Sequence, residues 1–254
     1  MIRAALAAAL LAAAAAPATA ESLVVSLSSD RVAITSNYTG SSVVVFGAIE
    51  RDAQTVARGT GYDVVVTVRG PRQFLTVRER EPLGPIWINQ EQQKFPSVPA
   101  YLAVLTSRPI EEITSAQLRQ RQKVGLGAIV NAADFTMHRN GADTPFREAL
   151  HRLKAQEGLY LEDERGVTFL TPDIFRASIP LPATAPPGNY EVDVTLFADT
   201  VILARTNTNF ELVKTGFEEQ VGSIARDWSL FYGLATAVIA IFFGWLANVI
   251  FRRD

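Results

Sequence analysis

The chain has 254 residues, 48% of them hydrophobic and 20% charged, and its 24 basic and 26 acidic side chains give a formal net charge of −2. So slight an acidic balance provides no basic field for nucleic acid. Cysteine is absent, which excludes thiol chemistry, thiolate metal sites and acylation on cysteine; a domain of this size can bury a sufficient core without disulfides.

Met1-Ile2-Arg3 is a short positive start, Ala4 to Ala16 an apolar run and Ala18-Thr19-Ala20 a small-x-small cleavage site. These three parts predict a secretory signal peptide over residues 1–20, and the apolar run is too short to span a bilayer well. An uncleaved N-terminal anchor is the alternative. Cleavage removes Arg3 and leaves 23 basic against 26 acidic residues, a net of −3.

Residues 21–215 read as one exported β-rich domain. Runs rich in Val, Ile, Ser and Thr at 23–28, 31–36 and 42–49 predict three strands, with Asn37 to Ser41 as a turn. Asp63 to Arg69 predicts a fourth, ended by Gly70-Pro71, and Phe74 to Val77 a fifth. A Pro-punctuated stretch from Pro82 to Pro99 carries the apolar Ile86-Trp87-Ile88, and Tyr101 to Thr106 returns to strand.

A helical insertion is expected over about 108–158. Pro109 to Val124 has Glu111 and Glu112 near its start and Arg119, Arg121 and Lys123 near its end, the charge order a helix dipole favours, with Gly125 as the stop. Thr144-Pro145 opens a second helix, in which Phe146, Leu150 and Leu153 recur at helical spacing before Gly158.

Strands resume at 167–170 and 174–179. After Pro186-Pro187-Gly188, Tyr190, Val192, Val194 and Leu196 alternate with Asn189, Glu191, Asp193 and Thr195, the period of a strand with one wet face. Asp199 marks a tight turn and Val201 to Val213 the returning strand. The class is mainly β: an antiparallel immunoglobulin-like β-sandwich with a helical insertion. Two smaller sandwiches are the alternative partition.

Residues 216–227 form a juxtamembrane run. From Trp228 to Phe251 there are 24 residues without Lys, Arg, Asp, Glu, Pro or His. About 20 apolar residues cross a ~30 Å hydrocarbon core, so 228–251 predicts a transmembrane helix. Arg252-Arg253-Asp254 then predicts a cytoplasmic tail, which places the β-domain in the periplasm of a single-pass inner-membrane protein. On a helical wheel Gly233, Ala237, Ala240, Gly244, Ala247 and Asn248 share a sector of about 100°, a stripe that would let a second helix approach closely.

Catalytic motifs are missing. No Gly-x-Ser-x-Gly, Ser-x-x-Lys or phosphate-binding Gly-Lys-Ser/Thr occurs, and the two histidines, His138 and His151, form no ligand pair at helical spacing. A loop role for His138 and a solvated helix face for His151 are the plain expectations. No metal, cofactor or enzymatic activity is expected. Arg69, Arg72, Arg78 and Arg80, beside Trp87, form a candidate surface for an anion or a partner. The competing reading is an edge strand guarded by its charges.

Several strings together carry a resemblance: Ser36-Asn37-Tyr38-Thr39-Gly40-Ser41 leading to Val45-Phe46-Gly47-Ala48-Ile49-Glu50; Tyr62 to Val66 ending in Arg69-Gly70-Pro71; Ile86-Trp87-Ile88-Asn89; Val98-Pro99-Ala100-Tyr101-Leu102-Ala103-Val104; Gly158-Leu159-Tyr160; Phe175-Arg176-Ala177; and Phe251-Arg252-Arg253-Asp254. The chain resembles, over nearly all of its mature length, a family of alphaproteobacterial transmembrane proteins. The resemblance implies an alphaproteobacterial source and brings no established activity, catalytic residue or cofactor. The expected function is that of a membrane-anchored, non-enzymatic accessory to an integral membrane partner such as a permease, or a homodimer formed through the membrane helix. A tethered periplasmic ligand-binding module or enzyme is the alternative.

Overall fold

The structure, a computed structural model, describes residues 21–34, 40–51, 61–131, 144–214 and 225–251. The expected signal peptide, most of the expected 37–41 turn, His138, most of the expected juxtamembrane run and residues 252–254 lie outside the described residues.

Twelve strands are described, in two large sheets and one hairpin. The first sheet orders β1 (Ser22–Leu27), β3 (Gly40–Glu50), β10 (Ile174–Pro182) and β9 (Val167–Thr171), all antiparallel. Burial alternates strictly along β10: Phe175, Ala177, Ile179 and Leu181 point inward between exposed Ile174, Arg176, Ser178 and Pro180. That is the period of a strand with one wet face.

The second sheet orders β2 (Arg31–Ile34), β12 (Val201–Lys214), β11 (Gly188–Ala198), β4 (Asp63–Arg69), β7 (Leu102–Thr106) and β8 (Tyr160–Asp163). Here the expectation of wholly antiparallel pairing is corrected. β2 runs parallel to β12 and β8 parallel to β7. Both large sheets draw strands from each side of the helical stretch, from 21–106 and from 159–213 alike. β4 shows why it lies in the middle: Val64, Val65, Val66 and Val68 are all fully buried, on both faces of the strand.

One face of this sheet meets the first sheet, with β1 beside β12, where the Thr206 hydroxyl donates to the Leu23 carbonyl at 3.0 Å. The helical stretch packs on β5, β7 and β8 and adds Ile113, Ile129 and Leu150 to the same core. Fully buried aromatic rings, Phe95, Tyr101, Phe175, Tyr190, Phe197 and Phe210, anchor that core. Each contributes roughly 1.5–3 kcal/mol by leaving water.

The helix expected from Pro109 to Val124 is broken in two. α1 (Ile110–Ile113) ends at an extended Thr114, and Ser115 caps α2 (Ala116–Gln122) by accepting from the Leu118 amide. α3 (Leu126–Val130) follows Gly125, and α4 (Thr144–Gln156) closes at Gly158, whose φ of +71° suits glycine. Asp199 and Thr200, both at positive φ, form the two-residue turn between β11 and β12. At the start of β11, the Tyr190 hydroxyl donates to the Pro186 carbonyl at 2.7 Å, and its ring stacks on Phe210 with centroids 5.0 Å apart.

Between β4 and β7 the chain leaves the sheet. β5 (Arg72–Leu83) and β6 (Ile86–Pro99) pair as a long hairpin, although the Pro-punctuated 82–99 stretch gave no expectation of a strand. The β4–β7 ladder runs into it without interruption. Arg69 pairs with Leu102, the Gly70 amide donates to Tyr101, the Ala100 amide donates to Pro71, and Arg72 pairs with Pro99. The arm is thus a continuation of two central strands past the end of their sheet. Its 12-residue strand extends about 40 Å at ~3.3 Å per residue. Glu191 of β11 stands opposite Arg69 on one side and Asn209 on the other. β4 and β12 therefore run the same way, and the arm leaves the same end of the sheet from which β12 leads toward the C-terminal helix α5 (Ser229–Phe251).

Candidate functional site on the projecting arm

The base of the arm holds a cavity of about 370 Å³ lined by residues that include Arg69, Arg72, Ser97, Lys123 and Glu191. Arg69 occupies the last position of β4 and pairs with Asp193 across the β4–β11 ladder. Both side chains are largely covered, at 20% and 16% exposure, so this pair is screened far less than a surface one. The Arg205 guanidinium reaches the same carboxylate at 3.4 Å. Arg72 donates to the Ser97 hydroxyl at 3.1 Å across the foot of the arm. Lys123 closes α2 in the left-handed region, φ +53°, which brings it to the cavity wall. Three cations against Glu191, with Asp193 behind, form a polar pocket suited to holding a small anion.

Arg78 and Arg80 stand elsewhere. They are six and eight residues beyond Arg72 on β5, about 20–26 Å along the strand, and both are exposed. Trp87 is further out, paired with Pro82 near the turn. The structure thus brings Arg69 and Arg72 together and leaves Arg78, Arg80 and Trp87 along the arm. Gly84, at φ +64°, makes the turn. Around it Leu83, Ile86 and Trp87 are 61%, 57% and 69% exposed. Leu83 and Ile86 are paired and share one face; Pro82 and Trp87 share the other.

A second, shallower cavity of about 270 Å³ lies among the short helices, lined by residues that include Glu111, Arg119, Gly125 and Glu162. The Leu126 amide at the start of α3 donates to Glu162 Oε1 at 3.5 Å. Partial burial holds the Glu162 carboxyl above its ordinary range, with Glu111 and Glu164 adding to the effect, while that amide and Arg119 oppose it. Glu111 is held below its ordinary range by its backbone hydrogen bond and by Arg119, which lies 2.6 Å away. Burial also pushes the Tyr160 phenol up; its hydroxyl donates to the Pro99 carbonyl at 2.9 Å. His151, expected on a solvated face, is half-buried with its ring 6.3 Å from that of Tyr160. Among the described residues, no group of three or more His, Asp or Glu side chains could hold a metal ion.

Sequence reasoning missed Ser97, Lys123, Glu191 and Asp193 as neighbours of the arginines. Asp193 was legible only as a polar position on an alternating strand, and its partner lies 124 residues away.

α5 is 23 residues long, about 35 Å at 1.5 Å per residue. Among the described residues it is the one helix long and apolar enough to cross a membrane, over Ser229–Asn248. Gly233, Ala237, Ala240, Gly244, Ala247 and Asn248 all lie on it and all are exposed. No curated protein matches the chain. The family model described as Putative transmembrane protein (Alph_Pro_TM) matches residues 22–253, from the first strand through the apolar helix, and the chain belongs to that family.

Proposed function

We propose that this chain is a membrane-anchored periplasmic protein without catalytic machinery, acting as an accessory to an integral membrane protein such as a transporter. The observation that carries this reading is the bareness of α5. No part of the described chain covers its 229–248 stretch, and a Cβ added at Gly233 or Gly244 would meet nothing within 4 Å. In a bilayer such a stripe lets a second helix approach closely, and Asn248 can hydrogen-bond across the contact. The signal peptide and the Arg252-Arg253 pair support an N-terminal domain outside the cytoplasm. We read the exported part as an immunoglobulin-like sandwich. Its strand order supports this, as does the Tyr190–Pro186 hydrogen bond, which has the position and direction of a tyrosine corner.

Cross-linking in native membranes, followed by purification through a tag after Asp254 and mass spectrometry, tests the proposal. A near-stoichiometric integral membrane protein is expected in the eluate, and Gly244→Leu should abolish its recovery without changing expression. Unchanged recovery from that variant would sink the helix contact. Recovery of the bait alone, or only of its homodimer, would shift the function to a tethered ligand-binding module. The pocket of Arg69, Arg72 and Lys123 favours that second reading.

A further inference from the structure

Water-exposed apolar side chains at the end of a 40 Å arm cost solvation without adding to the core. Leu83, Ile86 and Trp87 sit at that end, on both faces of the hairpin, and each is more than half exposed. We propose that the end of the arm is an interfacial anchor that seats these three side chains among the lipid headgroups and upper acyl chains of the membrane that α5 crosses. The inference rests on the membrane-anchored reading and is separate from the accessory role.

Reach supports the bilayer as the occupant. Three residues on from the opposed set Arg69, Glu191 and Asn209 lie Arg72, Gly188 and Leu212, so Arg72 and Leu212 stand level at one end of the sheet. From that level the arm runs eleven residues to Leu83, about 36 Å. From the same level the chain needs 17 residues, 213 to 229, to reach the start of α5. Those residues bridge about 26 Å if helical and about 60 Å if fully extended. The end of the arm, at most about 36 Å from that level, therefore lies within the roughly 60 Å that this connection can span.

Shape and charge agree. The apolar end comprises the pairs Leu83–Ile86 and Pro82–Trp87, with Ile88 behind them opposite Glu81. Two to three rungs make a depth of about 7–10 Å, which matches the shallow insertion of interfacial elements. Apolar groups on both faces suit a surrounding medium better than a one-sided groove. Trp is the side chain most at home at that boundary. Behind the tip, Arg78, Arg80 and Lys94 are balanced by Glu79, Glu81 and Glu91, so insertion does not require anionic lipid.

The absence of cysteine makes the test direct. Trp87→Cys and Ile86→Cys, with Gln92→Cys on the arm as the aqueous control, each carry one thiol for an environment-sensitive fluorophore. The full-length chain is reconstituted into phosphatidylcholine vesicles, with and without phosphatidylglycerol. Positions 86 and 87 should be severalfold less accessible to aqueous iodide than position 92 and quenched by lipids spin-labelled near the headgroup, equally in both vesicle types. Iodide access at 86 and 87 equal to that at 92 would overturn the proposal. So would shielding that appears only in native membranes, which would assign the tip to a protein partner. Vesicle flotation reports separately on the anchor, so loss of flotation refutes the membrane-anchored reading and an exposed tip refutes only this one.

Discussion

Gly47 offers the sharpest test of how the inner face of the first sheet is packed. It lies on β3 opposite Phe175 of β10, and a Cβ built there would stand 2.1 Å from Phe175 Cζ and 2.4 Å from Cε1. The ring lies against the glycine where any other residue would place a carbon. Normal carbon–carbon contact needs about 3.5–4.0 Å, so Gly47→Ala must displace the ring by about 1.5 Å. Phe175 is fully buried, with Phe169 at 5.9 Å between ring centroids, so the ring has no open space to enter. Overpacking of this kind costs about 1–3 kcal/mol, and an off-rotamer ring adds about 0.5–1.5 kcal/mol. The expected destabilisation is therefore about 2–4 kcal/mol, a drop of roughly 4–16 °C in Tm for a domain of this size. Thermal melting of the full-length chain in detergent, followed by the β signal in circular dichroism, measures it. Phe175→Leu should cost less in the Gly47→Ala background than alone, because it vacates the contested space. A Gly47→Ala melt within a degree of the parent, or strictly additive costs, would refute the reasoning.

Tyr190→Phe keeps both ring contacts and removes only the hydroxyl that donates to Pro186. A loss of about 1–2 kcal/mol, or roughly 2–8 °C in Tm, is expected, and an unchanged melting temperature would show that the hydrogen bond adds nothing. Glu162 makes stability depend on pH. Its folded pKa lies above the unfolded value, so the folded state is favoured at acid pH and loses stability as pH rises through the folded pKa. Glu162→Gln should melt higher than the parent at neutral pH, with the difference vanishing under acid conditions; a difference that persists in acid would point to packing instead.

Two kinds of strand were legible. β11 and β12 announced themselves through alternation and the Asp199 turn, and β4, buried on both faces, through its run of valines between Asp63 and Arg69. The arm did not. Its Arg78-Glu79-Arg80-Glu81 run is exposed on both faces, so no period-2 pattern exists to read, and Pro82, Pro85, Pro96 and Pro99 signal breaks. Proline is tolerated there because the arm is a two-stranded ribbon with both outer edges unpaired. The parallel pairings of β2 and β8 depend on long connections that leave no local trace. The arginines were visible as a cluster in sequence, but the strand's rise spreads them along the arm. Only Arg69 and Arg72, at its foot, meet Lys123, which arrives from a helix whose break at Thr114 no propensity would place.

The parallel pairing of β2 with β12 also sets the order in which this protein can be assembled. Arg31 meets Glu211 and Ile34 meets Lys214, contacts separated by 180 residues, and β1 lies beside β12 as well. Such non-local closure is slow, because loop entropy is lost before the contact compensates for it. No amino-terminal fragment can complete the second sheet, since its second strand is nearly the last element of the domain to be synthesised. Fourteen residues later, 215 to 228, the apolar helix begins. Closure of the domain and insertion of the helix thus fall at nearly the same moment in the life of the chain. A nascent chain stalled before Val201 would present β11 with a bare edge, a ready target for chaperones and proteases.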